Sequence, residues 1–136
     1  PYPYSENDAQ QFINHVLNQE EKGNYCIEIN GEAAGNISFM RGLDVERYNA
    51  ELGYWIAEPY WSQGFMTKAL KLAISDYFCS TDVVRIYANV YASNPASMRV
   101  LEKTGFCKCG IHKNACFKNG KFVDCHYYEL LKENFV

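Results

Sequence analysis

The sequence has no apolar run close to the roughly 18 to 20 residues that cross a bilayer, and it has no signal-peptide pattern at its start. Internal repeats, linkers and low-complexity segments are also missing. These absences predict that residues 1–136 form a single domain, long enough to bury a core. They also favour a soluble protein of the cytoplasm.

An excess of basic charge is missing too. The 13 Lys and Arg residues are outnumbered by 16 Asp and Glu residues, and the net charge of -3 argues against wholesale binding to nucleic acid. Hydrophobic residues make up 48% and aromatic residues 15% of the chain. A chain of this composition is not disordered and forms a compact core.

The cysteines lack the C-x2-C spacing of a zinc knuckle. There are six, at positions 26, 79, 107, 109, 116 and 125. A chain that can build a core and carries no export signal favours free thiols. An alternative is a zinc or thiol-redox module built from Cys107, Cys109, His112, Cys116, Cys125 and His126. Because C-x-C suits structural zinc poorly and strand alternation scatters these side chains, we expect no metal site.

Turn and periodicity signals give the order of the secondary structure. They predict a helix over 5–19 capped by Ser5, a hairpin over 25–40 around Asn30-Gly31, a strand over 50–57, a helix over 63–79, a strand over 83–92, a helix over 93–106 and two strands around Asn119-Gly120. This order of elements is typical of an α+β sheet domain with helices on its faces.

The segment "EPYWSQGFMTKAL" (58–70) places Gly64 where a strand passes into a helix. One interpretation is that Gly64 permits a tight turn. The other is that a missing Cβ lets a phosphate approach the unpaired N–H groups of the helix N-terminus. The turn by itself leaves both interpretations open.

A second helix N-terminus follows in "SNPASMRVLEKTGF" (93–106). Asn94 is a good N-cap, Pro95 suits the first helical position, and Gly105 suits the end of the helix. If strands 50–57 and 84–91 are parallel neighbours, both helices start at the same edge of the sheet. Open α/β layers bind their ligands at that edge.

These two segments resemble the GNAT acetyltransferase superfamily, and within it the ribosomal-protein N-acetyltransferase (RimJ/RimL) type. "WSQGFM" (61–66) resembles the acyl-CoA signature [R/Q]-x-x-G-x-[G/A], from which Trp61 and Met66 depart. "NPASMRVLEKTGF" is similar to the pattern N-x-x-S-x-x-V-L-x-K-x-G-F of that type, and "FKNGKFVDCHYYELL" looks like its closing hairpin. The resemblance covers roughly residues 8–131.

The resemblance implies a mixed, mostly antiparallel sheet with helices on both faces and a splayed parallel strand pair at the CoA site. It implies an N-acetyltransferase that uses acetyl-CoA, with a protein N-terminus, possibly ribosomal, or a small-molecule amine as acceptor. Family members begin with a further strand and helix, so this chain is expected to be N-terminally truncated. The sheet edge beside 25–40 would then be exposed, and a homodimer through it is an alternative to a blunted edge.

The expected cofactor-binding residues follow from the two helix N-termini and the resemblance. The amides of Gln63, Gly64, Phe65, Met66 and Thr67 would bind the pyrophosphate, and the backbones of Ile56 and Ala57 would be free to pair with pantetheine. Asn94 and Ser97 would contact the pantetheine arm and the sulfur, with N-capping and a first-turn or solvent contact as their alternatives. Lys103, with Arg99, would meet the 3′-phosphate or form a solvated helix face.

Acetyl transfer also needs a base and an acid. Glu51 is the candidate base, acting through a water, with an ion pair as its alternative role. Ser97 is the candidate acid that protonates the thiolate, with Tyr127 or Tyr128 in reserve. Cys116 occupies the position where some family members carry a glutamate base. A non-catalytic CoA-binding sensor is therefore the alternative function.

Overall fold

The computed structural model describes residues 3–136, which form three helices and a six-stranded sheet. The elements in chain order are α1 (Glu6–Leu17), β1 (Asn24–Ile29), β2 (Glu32–Arg41), β3 (Asn49–Ile56), α2 (Phe65–Ser80), β4 (Arg85–Tyr91), α3 (Pro95–Thr104), β5 (Cys107–Lys118) and β6 (Lys121–Leu131). The predicted order and the α+β class are confirmed, and the boundaries differ by a few residues.

Both predicted Asn-Gly turns are present. Asn30 and Gly31 have φ values of 52° and 82°, and Asn119 and Gly120 have values of 52° and 75°. Two successive positive φ angles define the type I′ turn, whose twist matches that of the strands it joins. These turns fix the hairpins β1–β2 and β5–β6.

The sheet runs β1-β2-β3-β4-β6-β5 and is antiparallel except between β3 and β4. That parallel pairing covers only three residue pairs, from Asn49 opposite Arg85 to Glu51 opposite Tyr87. Beyond Glu51 the two strands are no longer paired. The predicted splayed parallel pair is therefore confirmed, and the gap begins at the middle of β3.

The core lies on one face of the sheet, under α2 and α3. From α2, Leu70, Ile74 and Tyr77 are buried, and the ring of Tyr77 stacks on Phe39 of β2 with 4.3 Å between centroids. From α3, Leu101 is fully buried in the same cluster. The two packed helices, α2 and α3, thus share one face of the sheet.

Helix α1 forms from local signals without burial. Its capping box is complete, because the Ser5 hydroxyl accepts from the Asp8 amide and the Asp8 carboxylate accepts from the Ser5 amide. Yet none of its residues is buried, and Phe12, Ile13 and Leu17 are 44%, 49% and 76% exposed. The predicted apolar face exists, but its large side chains remain exposed.

Strand β1 lies at one end of the sheet, and no other strand among residues 3–136 pairs with its outer side. The predicted exposed edge beside the first hairpin is therefore present in the described part of the chain. Within the same range, no helix is both long and apolar enough to cross a membrane.

Candidate active site

A cleft of about 790 Å³ opens where β3 and β4 separate. Residues from β3, from the start of α2 and from α3 line it, including Tyr54, Ile56, Gly64, Phe65, Met66, Thr67, Asn94, Ser97, Arg99 and Lys103. This volume is in the range of cofactor-binding pockets. Apart from the reserve tyrosines, the sequence analysis predicts twelve site residues. Nine of them line this cleft, and Ala57, Gln63 and Glu51 do not.

The N-terminus of α2 faces the cleft, and no side chain caps it. Gly64 is the N-cap residue, and the first hydrogen bond within the helix runs from the Lys68 amide to the Gly64 carbonyl, at 3.2 Å. Among residues 3–136, no group accepts a hydrogen bond from the amides of Phe65, Met66 or Thr67. Three aligned donors and the helix dipole therefore point into the cleft, which is the arrangement that binds anions.

Gly64 has two properties that bear on the question raised by the sequence. Its φ of +78° lies in the left-handed region, so the tight turn alone calls for glycine. A Cβ built on it would meet no atom within 4 Å, so it would project into the open space of the cleft. The turn needs glycine, and glycine also leaves the approach to the three amides clear.

The predicted role of Ala57 is wrong in one respect, because its backbone is not free. Its amide donates to the Ala34 carbonyl at 2.8 Å, and its carbonyl accepts from the Tyr60 amide at 3.0 Å. Gln63, also absent from the cleft wall, uses its side-chain amide to donate to the Pro59 carbonyl at 2.8 Å.

Hydrogen-bond alternation along β3 explains which backbone groups reach the gap. Ile56 lies opposite Gly35 in the β2–β3 ladder, and the neighbouring Ala57 donates across that ladder. In an antiparallel pair the residues alternate in direction, so Ile56 and Tyr54 turn their backbone groups towards the gap. The Ile56 carbonyl accepts from the indole of Trp61 at 2.7 Å. Of the Ile56 backbone, which the sequence predicts to be free, the carbonyl is therefore engaged, and only the amide faces the gap.

The first turn of α3 is held by side chains. The Asn94 carboxamide oxygen accepts from the Ser97 amide at 3.2 Å, so Asn94 acts as the N-cap and also lines the cleft. The Ser97 hydroxyl lies 2.6 Å from the hydroxyl of Tyr54, which also donates to the Ser97 carbonyl at 3.2 Å. Burial raises the pKa of Tyr54, so this phenol stays protonated.

Tyr54 is a site residue that the sequence motifs do not single out. The signal was available in "ELGYWI", because Tyr54 lies two positions after the buried Leu52 and so on the same face of the strand. Its contact with Ser97 joins residues 43 positions apart. Local patterns carry no information about such a contact.

Cationic side chains form one side of the cleft. Arg99 and Lys103 lie on α3, and Lys118 reaches the cleft from β5, with its ammonium 4.5 Å from the centre of the Tyr91 ring. None of the three ion pairs found among residues 3–136 uses these cations. Their charges are thus available to an anion in the cleft.

Glu51 lies on the face of the sheet that is opposite to the core and to helices α2 and α3. It alternates with the buried Ala50 and Leu52, and its carboxylate accepts from the Asn89 side chain at 3.1 Å. It is the last residue of β3 that pairs with β4, so it stands where the gap begins. The structure therefore separates the two predicted catalytic residues, with Ser97 on the α3 side and Glu51 on the other.

The reserve acids and Cys116 lie outside the cleft wall. Tyr128 is buried and donates to Glu102 at 3.1 Å, whereas Tyr127 stacks on His112 with 3.9 Å between ring centres. The Cys116 sulfur lies 2.8 Å from that of Cys125, whose pKa is raised to about 11, chiefly by burial. All six cysteines are free, and within residues 3–136 no three metal-ligating side chains gather at one point.

A mixed sheet with one diverging parallel pair, and a helix N-terminus without a side-chain cap at the gap, define a domain with an anion-binding cleft between splayed strands. The profile of the acetyltransferase (GNAT) domain matches residues 1–107. This match extends over most of the chain, so the chain belongs to the GNAT acetyltransferase family. Acetyl-CoA is the acetyl donor of that family. The family and cofactor predictions are confirmed.

Several curated proteins that are similar in sequence to this chain are named as N-acetyltransferases or acetyltransferases. The prophage-derived YokL of Bacillus subtilis is 26% identical over 136 residues, covering 98% of this chain and 75% of that protein. YoaA of Bacillus subtilis is 34% identical over 101 residues, covering 74% of this chain and 56% of that protein. The ribosomal-protein-serine acetyltransferase of Escherichia coli is 30% identical over 127 residues, covering 91% of this chain and 70% of that protein.

Solved structures agree on the fold. The spermidine N-acetyltransferase of Vibrio cholerae, in complex with CoA and spermine, superposes with a TM-score of 0.84 at 19% identity, covering 98% of this chain and 80% of that one. RimJ of Mycobacterium smegmatis, in complex with CoA-disulfide, gives a TM-score of 0.81 at 23% identity, covering 93% and 62%. At these identities the likeness concerns the fold alone.

Proposed function

We propose that this chain binds acetyl-CoA in the cleft between β3 and β4 and transfers the acetyl group to an amine by direct attack on the thioester. Residues 1–136 would act as one acyl-CoA N-acyltransferase domain. One observation carries the proposal. The N-terminus of α2, which has no side-chain cap, lines the same cleft as Ser97.

The residues of the cleft fit the chemical parts of CoA. The amides of Phe65, Met66 and Thr67 are suited to the pyrophosphate, with Gly64 leaving the approach open. Arg99 and Lys103 offer positive charge for the 3′-phosphate. The amide of Ile56 faces the gap and is suited to an amide oxygen of the pantetheine arm.

The reaction forms a C–N bond and breaks the C–S bond of the thioester. The attacking nitrogen must lose a proton, and the departing sulfur must gain one. In our proposal Ser97 donates to the sulfur from the α3 side. Glu51, at the start of the gap on the other face, receives the proton of the amine through a water molecule.

The acceptor is a primary amine in this proposal. A protein N-terminus, with a pKa near 8, is partly neutral at pH 7, whereas a lysine-like amine near 10.4 is almost entirely protonated. The relatives are named for both kinds of acceptor, ribosomal proteins and spermidine. A protein N-terminus, including that of a ribosomal protein, and a small polyamine are therefore the first acceptors to test.

The direct experiment is a panel of amines with acetyl-CoA, followed by mass spectrometry of the acetylated products. Thiol reagents are unsuitable because the protein itself carries six free cysteines. Turnover of at least one amine supports the proposal. Binding of CoA without turnover of any amine would instead favour a CoA-binding sensor. The observation that supports this alternative is that Glu51, the candidate base, does not line the cleft.

The role of Glu51 has its own test. Glu51→Gln is expected to lower turnover most at low pH, where the amine is protonated, and to leave CoA affinity nearly unchanged. General-base catalysis contributes typically about 10² to 10⁴-fold. A loss below tenfold at every pH would remove Glu51 from the mechanism.

A homodimer through β1 is a further part of the proposal. The outer edge of β1 presents backbone donors and acceptors, and such edges pair readily with another strand. Light scattering over a wide concentration range tests it. A monomer at every concentration would show that the edge is protected without a partner.

A further inference from the structure

Tyr54 and Ser97 share a hydrogen-bonded arrangement inside the cleft. The Tyr54 hydroxyl lies 2.6 Å from the hydroxyl of Ser97 and 3.2 Å from the carbonyl of the same residue. Both residues line the cleft, and both are partly buried. Ser97 is itself held by the Asn94 cap, so its backbone cannot drift away from Tyr54 without breaking that hydrogen bond.

A phenol has one hydrogen, so these two contacts are alternatives for donation. When Tyr54 donates to the Ser97 carbonyl, the serine hydroxyl gives its own hydrogen to the phenol oxygen. When Tyr54 donates to the serine hydroxyl, the hydrogen of Ser97 is free to point elsewhere. Only the second arrangement gives the cleft a hydroxyl donor from Ser97.

We propose that Tyr54 is a positioning residue that directs the Ser97 hydroxyl towards the sulfur of CoA and supplies the proton that Ser97 gives up. The inference rests on the acetyl transfer proposed above. As the C–S bond breaks, the sulfur takes the proton of Ser97, and the serine oxygen takes the proton of Tyr54. The proton lost by the amine passes through cleft water to Glu51, and proton exchange with water then restores both Tyr54 and Glu51 before the next turnover.

The relay has a physical advantage over Ser97 alone. An aliphatic hydroxyl is a much weaker acid than a phenol, so negative charge left on Ser97 would cost more than charge passed to Tyr54. Burial raises the pKa of Tyr54 above its usual value near 10, which keeps the donor protonated at neutral and mildly alkaline pH.

The test is a double-mutant cycle with Tyr54→Phe, Ser97→Ala and both together. Tyr54→Phe should lower kcat by about 10 to 100-fold, at or below the lower end of the about 10² to 10⁴-fold typical of general acid–base catalysis, because Ser97 itself remains. The KM for acetyl-CoA should stay within about twofold of the wild type. In the Ser97→Ala background the same change should have no further effect, because the partner through which Tyr54 acts is gone. A kcat within twofold of the wild type for Tyr54→Phe, or an equal loss in both backgrounds, would overturn the inference.

Tyr25→Phe is the matched control. Tyr25 also lies on a strand and donates to a helix, at 2.8 Å to Asp76 of α2, but it does not line the cleft. Loss of its hydroxyl should lower the melting temperature without changing kcat. An equal fall of kcat in Tyr25→Phe would show that the effect of Tyr54→Phe is one of general stability.

A second measurement does not depend on turnover. CoA and desulfo-CoA are titrated calorimetrically at pH 7 and pH 9.5, where the thiol of CoA becomes a thiolate. A donor aimed at the sulfur binds a thiolate better than a thiol, so the affinity of CoA relative to desulfo-CoA should rise several-fold with pH. The rise should shrink in Tyr54→Phe and in Ser97→Ala.

The two measurements separate this inference from the proposed function. A protein that turns over no amine but shows the pH-dependent gain would contradict the acetyl transfer and retain the Tyr54–Ser97 donor. A wild type without the gain, or a gain unchanged in Tyr54→Phe, would contradict the role of Tyr54 even if acetylation occurs.

Discussion

The N-termini of α2 and α3 lie at the same gap in the sheet, yet their first turns are built differently. At α3 the Asn94 side chain accepts from the Ser97 amide, and Pro95 at the first helical position has no N–H to offer. At α2 the cap residue is Gly64, and the amides that follow have no acceptor in residues 3–136. One helix start is closed and holds a side chain in place, whereas the other is open and can take a ligand.

The third helix shows what an occupied N-terminus looks like. At α1 the carboxylate of Asp8 and the hydroxyl of Ser5 supply both halves of a capping box. The first turn of α2 contains no acidic residue. A phosphate at α2 would thus do what Asp8 does at α1, with the negative charge coming from the ligand.

Blocking the open N-terminus should have the largest effect. Gly64→Val places a branched side chain where the phosphates would approach, and CoA affinity should fall about 100-fold, because the access on which anion binding at this N-terminus depends is lost. Calorimetry measures the affinity, and the rise in melting temperature with CoA gives a second readout.

Gly31→Val is the control for strain at Gly64. Gly31 has a φ of +82° and nothing within 4 Å of its built Cβ, so both variants carry the same backbone penalty. Gly31 lies in the β1–β2 turn and does not line the cleft. A similar loss of CoA affinity in both variants would mean that strain, and not access to the amides, is responsible.

Removing the cap of the closed N-terminus should cost stability more than binding. Asn94→Ala leaves the Ser97 amide without its acceptor, and the loss of an N-cap costs about 1 kcal/mol. The melting temperature should fall by roughly 4 °C. Asn94→Asp keeps an acceptor oxygen and should restore most of the stability, and equal melting temperatures for Ala and Asp would contradict the capping role.

Charge on α3 should contribute less than the amides of α2. Lys103→Ala is expected to weaken CoA binding about threefold at low salt, since exposed charges are screened by ions. The loss should disappear with dephospho-CoA, which lacks the 3′-phosphate. Lys71→Ala, on an exposed position of α2 away from the cleft, is the control; an equal effect of both would indicate a general charge effect.

The capping box of α1 should give the smallest effect, and one that depends on pH. The hydrogen bonds from Ser5 lower the pKa of Asp8 below its usual 3.8. A carboxyl group whose pKa is lowered by folding stabilises the helix fully at pH values above its usual pKa. That stabilisation is lost as the pH falls through the lowered pKa. Circular dichroism should show a loss of helix below pH 3.8 that is absent in Asp8→Asn; the same loss in the variant would assign it to other groups.

Many of the features that distinguish the two helix N-termini could be predicted from the sequence, because they depend on residues that are close together in the chain. The Asn-Gly turns, Gly64 at the start of α2 and the Asn94-Pro95 cap are all signalled by neighbouring residues. They fix where both helices begin. The Asn94-Pro95 pair also predicts an N-cap for α3.

The remainder depends on contacts between distant residues. The sequence predicts a free backbone at Ala57, but the register of β2 against β3 directs its amide to the Ala34 carbonyl. The pairing of Tyr54 with Ser97 requires β3 and α3 to meet. The position of Glu51 on the opposite face follows from alternation with Leu52, a signal that the sequence did contain.

The comparison is tested most directly by the backbone amides themselves. In ¹H–¹⁵N NMR spectra, addition of CoA should shift the amide signals of Phe65, Met66 and Thr67 strongly, and pantetheine, which lacks the pyrophosphate, should leave them nearly unchanged. The amide of Ser97, already bonded to Asn94, should shift less with either ligand. If CoA binds while the three α2 amides stay unchanged, the open N-terminus of α2 is not the phosphate site.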